Sequence, residues 1–135
     1  MFCHLFNSKL LAGTSPVPDG PFAFVGSSIG AYPNGNGDFD ILVDGVDAYI
    51  MYTAMNDGHV MVTEKLSSDW LTQLPATNSG PFGSPFVEAP VYFKAFGYYY
   101  AMFDNCCCFC GGGSGAQVYT AKSPQGPWTV QVRRF

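Results

Sequence analysis

The sequence is a series of short apolar runs separated by residues that favour turns. Runs rich in aromatic and β-branched residues cover positions 39–44, 48–52, 59–64, 90–94, 98–103, 116–121 and 128–132. Gly45, Asn56-Asp57-Gly58 and Gly97 interrupt them. Short runs of this kind predict β-strands joined by tight turns, and no stretch keeps a helical period. We therefore predict an all-β protein, with at most one helical turn at positions 67–71.

The runs recur at a spacing of about fifty residues. Placing Ile41-Leu42-Val43 over Val91-Tyr92-Phe93 also aligns Tyr49 with Tyr99, Tyr52 with Met102, and Asp38 with Glu88. A longer offset places Thr63-Glu64-Lys65 over Thr120-Ala121-Lys122. Near the start, Ser15-Pro16 with Gly20-Pro21-Phe22 echoes Ser123-Pro124 with Gly126-Pro127-Trp128. We infer an internal repeat of three or four antiparallel strands.

A repeat of this length is typical of a β-propeller blade. We predict a partial propeller of about two and a half blades, each a four-stranded antiparallel sheet. The first blade would end within residues 1–30, the second would span 37–82 and the third 86–135. Because such an arc leaves sheet edges and faces uncovered, the missing blades of a longer protein are expected partners. A sandwich of seven or eight strands is the alternative, although a sandwich needs no internal repeat.

Composition and charge exclude some functions. The net charge of −4 and six scattered basic residues among 135 give no basis for nucleic-acid binding. No apolar run reaches membrane-spanning length, so no membrane partner is predicted. The first residues lack the basic start and long apolar core of a signal peptide, which leaves the localisation open.

The cysteines predict neither a disulfide framework nor a metal site. Cys3 stands alone, while Cys106, Cys107, Cys108 and Cys110 crowd into one loop. Zinc sites use separated pairs, and adjacent cysteines converge poorly on a tetrahedral ion. A vicinal disulfide or free thiols fit better. The glycines that follow lack the lysine of a phosphate-binding loop, so we predict no metal and no cofactor.

Two carboxylates are the candidates for chemistry. The repeat places Asp38 and Glu88 before the first strands of adjacent blades, and rotation about a propeller axis would bring both to the same channel mouth. Paired acids of this kind serve glycoside hydrolysis. Glu88 also lies in an apolar stretch, where an unpaired carboxylate is costly to bury. The remaining acids Asp40, Asp44, Asp47 and Asp57 are predicted turn residues, and His4 and His59 are predicted structural or exposed.

Three stretches resemble motifs of glycoside hydrolase family 43. Val87–Lys94 with Gly97–Tyr100 resembles the family's Glu-Ala-Pro motif, its strand and the Gly-x-Tyr-Tyr that follows. Gly37–Asp44 resembles the second-blade motif, and Ser123–Trp128 resembles a Ser-Pro-x-Gly-Pro-Trp blade ending. The three occur in the family's order and cover nearly the whole chain, which corresponds to about half of a family member.

The resemblance implies a five-bladed propeller that hydrolyses arabinose-, xylose- or galactose-containing polysaccharides with inversion. Glu88 would be the general acid, and Asp38 the carboxylate that raises the pKa of the acid and orients it. The family's general base is an Asp of the first blade, upstream of this sequence, and Asp19 does not match its motif. Galactan-cleaving relatives dispense with that base.

The resemblance also implies a sugar-binding surface around the acid. We predict that Phe86, Tyr92, Cys107 and Phe109 contact an oligo- or polysaccharide substrate. The cysteine loop departs from the Ser/Thr-Gly-Trp turn found there in many family members. Family members are mostly secreted. The alternative function is a non-catalytic carbohydrate-binding or interaction propeller, or an inactive remnant.

Overall fold

Three antiparallel sheets follow one another along the chain. The structure, a computed structural model, describes residues 2–5, 9–25, 35–105 and 115–134. The first sheet contains β1 (Phe2–Leu5), β2 (Lys9–Thr14) and β3 (Ala23–Phe24). The second contains β4 (Asn36–Asp44), β5 (Asp47–Ala54), β6 (Val60–Leu66) and β7 (Gln73–Leu74), followed by a 3₁₀ helix at Pro75–Thr77. The third contains β8 (Val91–Ala95), β9 (Tyr98–Asp104), β10 (Ala116–Ala121) and β11 (Thr129–Arg134). The all-β prediction is confirmed.

Each sheet is a meander, because spatial neighbours are also neighbours in sequence. The β4–β5 hairpin turns at Gly45, which has φ 66°. The β8–β9 hairpin turns at Phe96-Gly97, where both residues have positive φ (50° and 76°). Positive φ at both central residues is the requirement of a type I′ turn, whose twist matches that of the paired strands.

The second sheet is buried on both faces. A first core packs its outer face against β2, through the apolar residues Leu10, Ala12, Ala48, Ile50, Tyr52, Ala54, Val62 and Leu66. A second core lies between the second and third sheets and contains Leu42, Tyr49, Met51, Met61, Val87, Tyr92, Tyr99, Ala101, Phe103 and Tyr119. Seven of the eight residues of β5 are buried, which explains its almost continuous apolar sequence.

Sheets packed in series, with a core on each side of the middle one, are the arrangement of successive propeller blades. A sandwich would instead have two sheets around one shared core. The sandwich alternative is therefore wrong, and the chain folds as part of a β-propeller. The division into blades at 1–30, 37–82 and 86–135 and the total of five blades stay predictions.

The strand pairing corrects the predicted alignment of the repeats. Leu42 pairs with Tyr49 in the second sheet, whereas its counterpart Tyr92 pairs with Ala101 in the third. The position of Tyr49 is thus taken by Ala101 rather than Tyr99, because the β8–β9 hairpin is longer. The longer offset predicted for the third strand, which placed Thr63 over Thr120, was also wrong. Thr63 pairs with Met51 in the second sheet, and Gln117 pairs with the equivalent Phe103 in the third, so Gln117 takes the position of Thr63.

The echo between the first and third sheets is confirmed at their Gly-Pro turns. Gly20 has φ 84° and Gly126 has φ 86°. A Cβ on Gly20 would lie 3.1 Å from the ring of Phe22, and one on Gly126 would lie 3.0 Å from that of Trp128. In both turns the following aromatic ring folds back over the glycine, so a side chain would be both strained and crowded there.

Within the described part of the chain, no helix combines the length and apolar character needed to cross a membrane.

Candidate active site

An open cavity of about 430 Å³ lies where β4 meets the segment that precedes β8. Its walls come from the second and third sheets and consist of Gly37, Asp38, Phe39, Met55, Glu88, Ala89 and Pro90. The two carboxylates singled out in the sequence, Asp38 and Glu88, therefore face one cavity from consecutive sheets.

Asp38 is held at an irregularity of β4. It lies inside the strand, at the register shift between Asn36 and Phe39, rather than before the strand as predicted. Its side chain is exposed, and Oδ2 accepts a hydrogen bond from the backbone N–H of Ala89 at 3.3 Å. The preceding Gly37 permits this path, because a Cβ there would lie 2.5 Å from the Met55 Sδ.

Glu88 is fixed through its backbone. Its N–H donates to Asp104 Oδ1 at 2.6 Å, and the N–H of Asp104 returns a bond to the Glu88 carbonyl at 3.1 Å. The carbonyl of the buried Val87 accepts a hydrogen bond from Thr53 Oγ1 at 3.3 Å. These contacts anchor the segment to both neighbouring sheets, while 32% of the Glu88 side chain stays exposed. A rigid support with an accessible carboxyl suits chemistry in the cavity.

His59 adds a titratable group that was not predicted for this site. Its Nδ1 lies 3.5 Å from Glu88 Oε1, and its ring centroid is 5.8 Å from that of Phe86. His59 belongs to the turn between β5 and β6, so it reaches Glu88 from the second sheet. The sequence placed it as structural or exposed because it lies in no recognised motif.

Backbone strain is concentrated around these residues. His59, Phe86 and Ala89 have φ values of 53°, 61° and 50°, in the left-handed region that non-glycine residues rarely adopt. Bonds from Phe86 N–H to Gly58 O (3.0 Å) and from Val87 N–H to His59 O (2.9 Å) join the two strained segments. Strained positions of this kind cluster at functional sites, where the surrounding structure enforces them.

Two other aspartates of β4 bind the third sheet, which corrects their prediction as turn residues. Asp40 Oδ2 accepts the backbone N–H of Tyr92 at 2.8 Å. Asp44 accepts bonds from Lys94 Nζ at 2.8 Å and from the Tyr99 hydroxyl at 2.6 Å. The bonds from Lys94 and then Tyr99 lower the pKa of Asp44. These side chains of β4 hold the second sheet to the third, at β8 and β9.

The predicted substrate contacts fall in different places. Phe86 is 61% exposed and lies two residues before Glu88, but it is not among the residues that line the cavity. Tyr92 is only 3% exposed, packs in the second core, and donates its hydroxyl to the Pro124 carbonyl. Burial raises the pKa of Tyr92 and leaves its side chain inaccessible to a ligand, so we leave it out of the proposed site. Cys107 and Phe109 lie outside the described residues.

The described residues contain no group of three or more His, Cys, Asp or Glu side chains placed to hold a metal ion.

Solved structures with the same fold are glycoside hydrolases. An endo-1,4-β-xylanase from Bacteroides thetaiotaomicron VPI-5482 matches with a TM-score of 0.78 and 22% identity, over 94% of this chain and 46% of the enzyme. An exo-β-1,3-galactanase from Phanerochaete chrysosporium, solved with galactose, matches with a TM-score of 0.76 and 20% identity, over 92% of this chain and 29% of the enzyme. A variant of that enzyme is also solved with β-1,3-galactotriose.

A third match is a thermostable family-43 glycoside hydrolase, with a TM-score of 0.72 and 21% identity, over 91% of this chain and 45% of that one. No family model and no curated protein sequence matches the chain. The chain thus spans less than half of these enzymes.

The fold is one that this chain shares with solved glycoside hydrolases. More narrowly, the fold is that of glycoside hydrolase family 43, and the resemblance seen in the motifs is confirmed at the level of the fold.

Proposed function

We propose that this chain supplies the general acid of a glycoside hydrolase. The enzyme cleaves galactose-, arabinose- or xylose-containing oligo- or polysaccharides with inversion. Glu88 is the general acid, and Asp38 orients the segment that carries it. The observation that supports the proposal is that both carboxylates line one cavity, on a fold that is shared with solved glycoside hydrolases.

In the proposed reaction, the protonated carboxyl of Glu88 donates its proton to the glycosidic oxygen as the bond from that oxygen to the anomeric carbon breaks. A water molecule attacks the anomeric carbon from the opposite face and loses its proton to a base or to solvent. We assign this chain the proton-donating half of the step, because the resemblance places the family's usual base, with which galactan-cleaving relatives dispense, in an earlier blade. Asp38 holds the Ala89 amide and thereby sets the direction of the neighbouring Glu88.

β-1,3-Galactans head the list of substrates to test. One structural neighbour is an exo-β-1,3-galactanase, and a variant of it binds β-1,3-galactotriose. The exposed Phe86 ring beside Glu88 offers an apolar surface on which the face of a sugar can pack. Aryl arabinosides and xylosides complete the panel, because another neighbour is a xylanase.

The test is Glu88→Gln, made in the chain alone and in its complete reading frame. A general acid matters only when the leaving group needs a proton. We therefore expect hydrolysis of β-1,3-galactotriose to fall about 10²–10⁴-fold, with little change for 2,4-dinitrophenyl β-galactoside. NMR of the first product formed reports whether the anomeric configuration inverts.

The matched control is Asp19→Asn, which removes an exposed carboxylate outside the cavity and should leave both rates unchanged. Equal rates for wild type and Glu88→Gln on galactotriose would refute the role of Glu88. Saturable binding of galactotriose without hydrolysis by either form would instead favour the carbohydrate-binding alternative.

A further inference from the structure

The contact between His59 and Glu88 is not explained by stability. The two side chains are 30% and 32% exposed, and ion pairs with this exposure are screened by water and contribute little to folding. The left-handed backbone of His59 costs conformational free energy as well. The contact with Glu88 does not offset the unfavourable backbone of His59. We therefore infer that the His59 side chain has a role at the site.

The backbone around His59 is coupled to the segment that carries Glu88. The His59 carbonyl accepts the Val87 N–H at 2.9 Å, one residue before Glu88. The ring of Phe86 lies tilted beside the imidazole, with the two ring centroids 5.8 Å apart. The position of the imidazole relative to the carboxyl is therefore set by the main chain and by an aromatic neighbour.

We propose that His59 is a positioning residue that donates from Nδ1 to Oε1 of Glu88 and so leaves Oε2 to carry the transferred proton into the cavity. This inference rests on the proposed function. At 3.5 Å the contact is at the outer limit of a hydrogen bond, and such catalytic contacts commonly shorten when substrate binds. The imidazole also keeps its bond to the carboxylate that remains after proton transfer.

The variant that tests this role is His59→Gly. Glycine adopts the left-handed backbone freely, so the turn keeps its conformation, and it has no side chain to reach Glu88. We expect kcat for β-1,3-galactotriose to fall roughly tenfold with little change in KM, since one orienting contact is lost. The rate for 2,4-dinitrophenyl β-galactoside should not change, because that leaving group needs no proton.

Two further variants separate positioning from a general loss of structure. Asn56→Ala alters an exposed residue of the same turn and should leave all rates unchanged. His59→Asn also tolerates the left-handed backbone, and because its amide nitrogen can take the place of Nδ1, it should keep part of the activity that His59→Gly loses. Added imidazole should restore part of the activity of His59→Gly on galactotriose. Thermal unfolding of each variant shows whether the fold is intact.

The combination of His59→Gly with Glu88→Gln distinguishes failure of the inference from failure of the proposed function. If His59 acts through Glu88, His59→Gly has no further effect in the Glu88→Gln background. If Glu88→Gln shows the selective loss but His59→Gly does not, or if the two losses multiply, the inference alone is wrong. If Glu88→Gln shows no selective loss, the proposed function is wrong and the inference falls with it.

Discussion

The carboxylates of the second sheet differ in their surroundings, and the surroundings decide what each one does. Asp38 is exposed in the cavity, Asp44 is bound by Lys94 and Tyr99, and Glu64 is fully buried. A neighbouring cation favours the charged carboxylate, whereas burial favours the neutral acid. The pKa is accordingly lowered for Asp44 and raised for Glu64, although both side chains lie in one sheet.

Glu64 gives the first prediction on stability. Its Oε1 accepts bonds from the Tyr52 hydroxyl and from Asn78 Nδ2, both at 2.9 Å, and Oε2 has no hydrogen-bond partner among the described residues. Burial is the main cause of its raised pKa. A carboxyl with a raised pKa in the folded state stabilises the fold below its unfolded pKa of about 4.3. That contribution is lost as the pH rises through the folded value.

We expect Glu64→Gln to remove this pH dependence. Relative to wild type, the variant should gain stability as the pH rises from about 4 to about 8, by about 1.4 kcal/mol for each unit by which folding raises the pKa. Urea unfolding at a series of pH values measures the difference. Asp19→Asn, at an exposed carboxylate, is the control. A constant difference between variant and wild type across the series would contradict the prediction.

At the scale of strands and turns, the sequence predicted most of the fold. The apolar runs located the long strands of the second and third sheets, and the Gly-Pro turns revealed the first sheet. The pairing register was not predictable, because the turn at Phe96-Gly97 extends its hairpin while Tyr99 still faces the core. Periodicity fixes the face on which a side chain lies but not its partner across the sheet.

The residues of the candidate site were predictable from the sequence only in part. The sequence placed Glu88 and Asp38 near each other because the repeat aligns them and motifs surround them, and both line one cavity. His59 was not predicted beside them, since its contact with Glu88 depends on a left-handed turn between β5 and β6. The bridging roles of Asp40 and Asp44 were missed because their partners lie in the third sheet, about fifty residues away in sequence. Asp44 also lies beside Gly45, where an Asp suits a turn.

The contact between β4 and β8 gives the next prediction. Because its pKa is lowered, Asp44 stabilises the fold above the ordinary pKa of Asp, and this stabilisation is lost as the pH falls through the folded value. We expect Asp44→Asn to lower the free energy of unfolding by about 1 kcal/mol at neutral pH, from the weakened bonds to Lys94 and Tyr99. The loss should become smaller as the pH falls through the lowered pKa of Asp44 in the folded state, where the carboxyl becomes protonated.

Asp47→Asn is the matched control, because Asp47 pairs with Lys65 within the second sheet at 2.9 Å rather than between sheets. Its effect should be smaller, as expected for a pair within one sheet that is open to solvent. In the background Lys94→Met with Tyr99→Phe, Asp44→Asn should have almost no effect. An undiminished loss in that background would mean that Asp44 acts through other contacts.

At the scale of the whole molecule, fewer buried apolar residues among those described join the first sheet to the second than join the third sheet to the second. Among the described residues, the first sheet contributes Leu10 and Ala12 to the first core, and β3 pairs with β2 at two positions. The third sheet contributes half of the buried residues of the second core, and Phe82 stacks on Trp128 at 5.0 Å across it. Local opening is easiest where few apolar contacts must be broken.

We therefore predict that the first sheet opens before the other two separate. Leu10→Ala and Met61→Ala each truncate a fully buried side chain, which costs about 2–5 kcal/mol in a typical core. In amide hydrogen exchange, Leu10→Ala should lower protection in β2 while β9 and β10 keep theirs. Met61→Ala, whose side chain lies between the second and third sheets, should lower protection in both. Equal loss of protection across all three sheets in Leu10→Ala would show that the arc unfolds as one cooperative unit. The cavity between the second and third sheets would then depend on the first sheet for its shape.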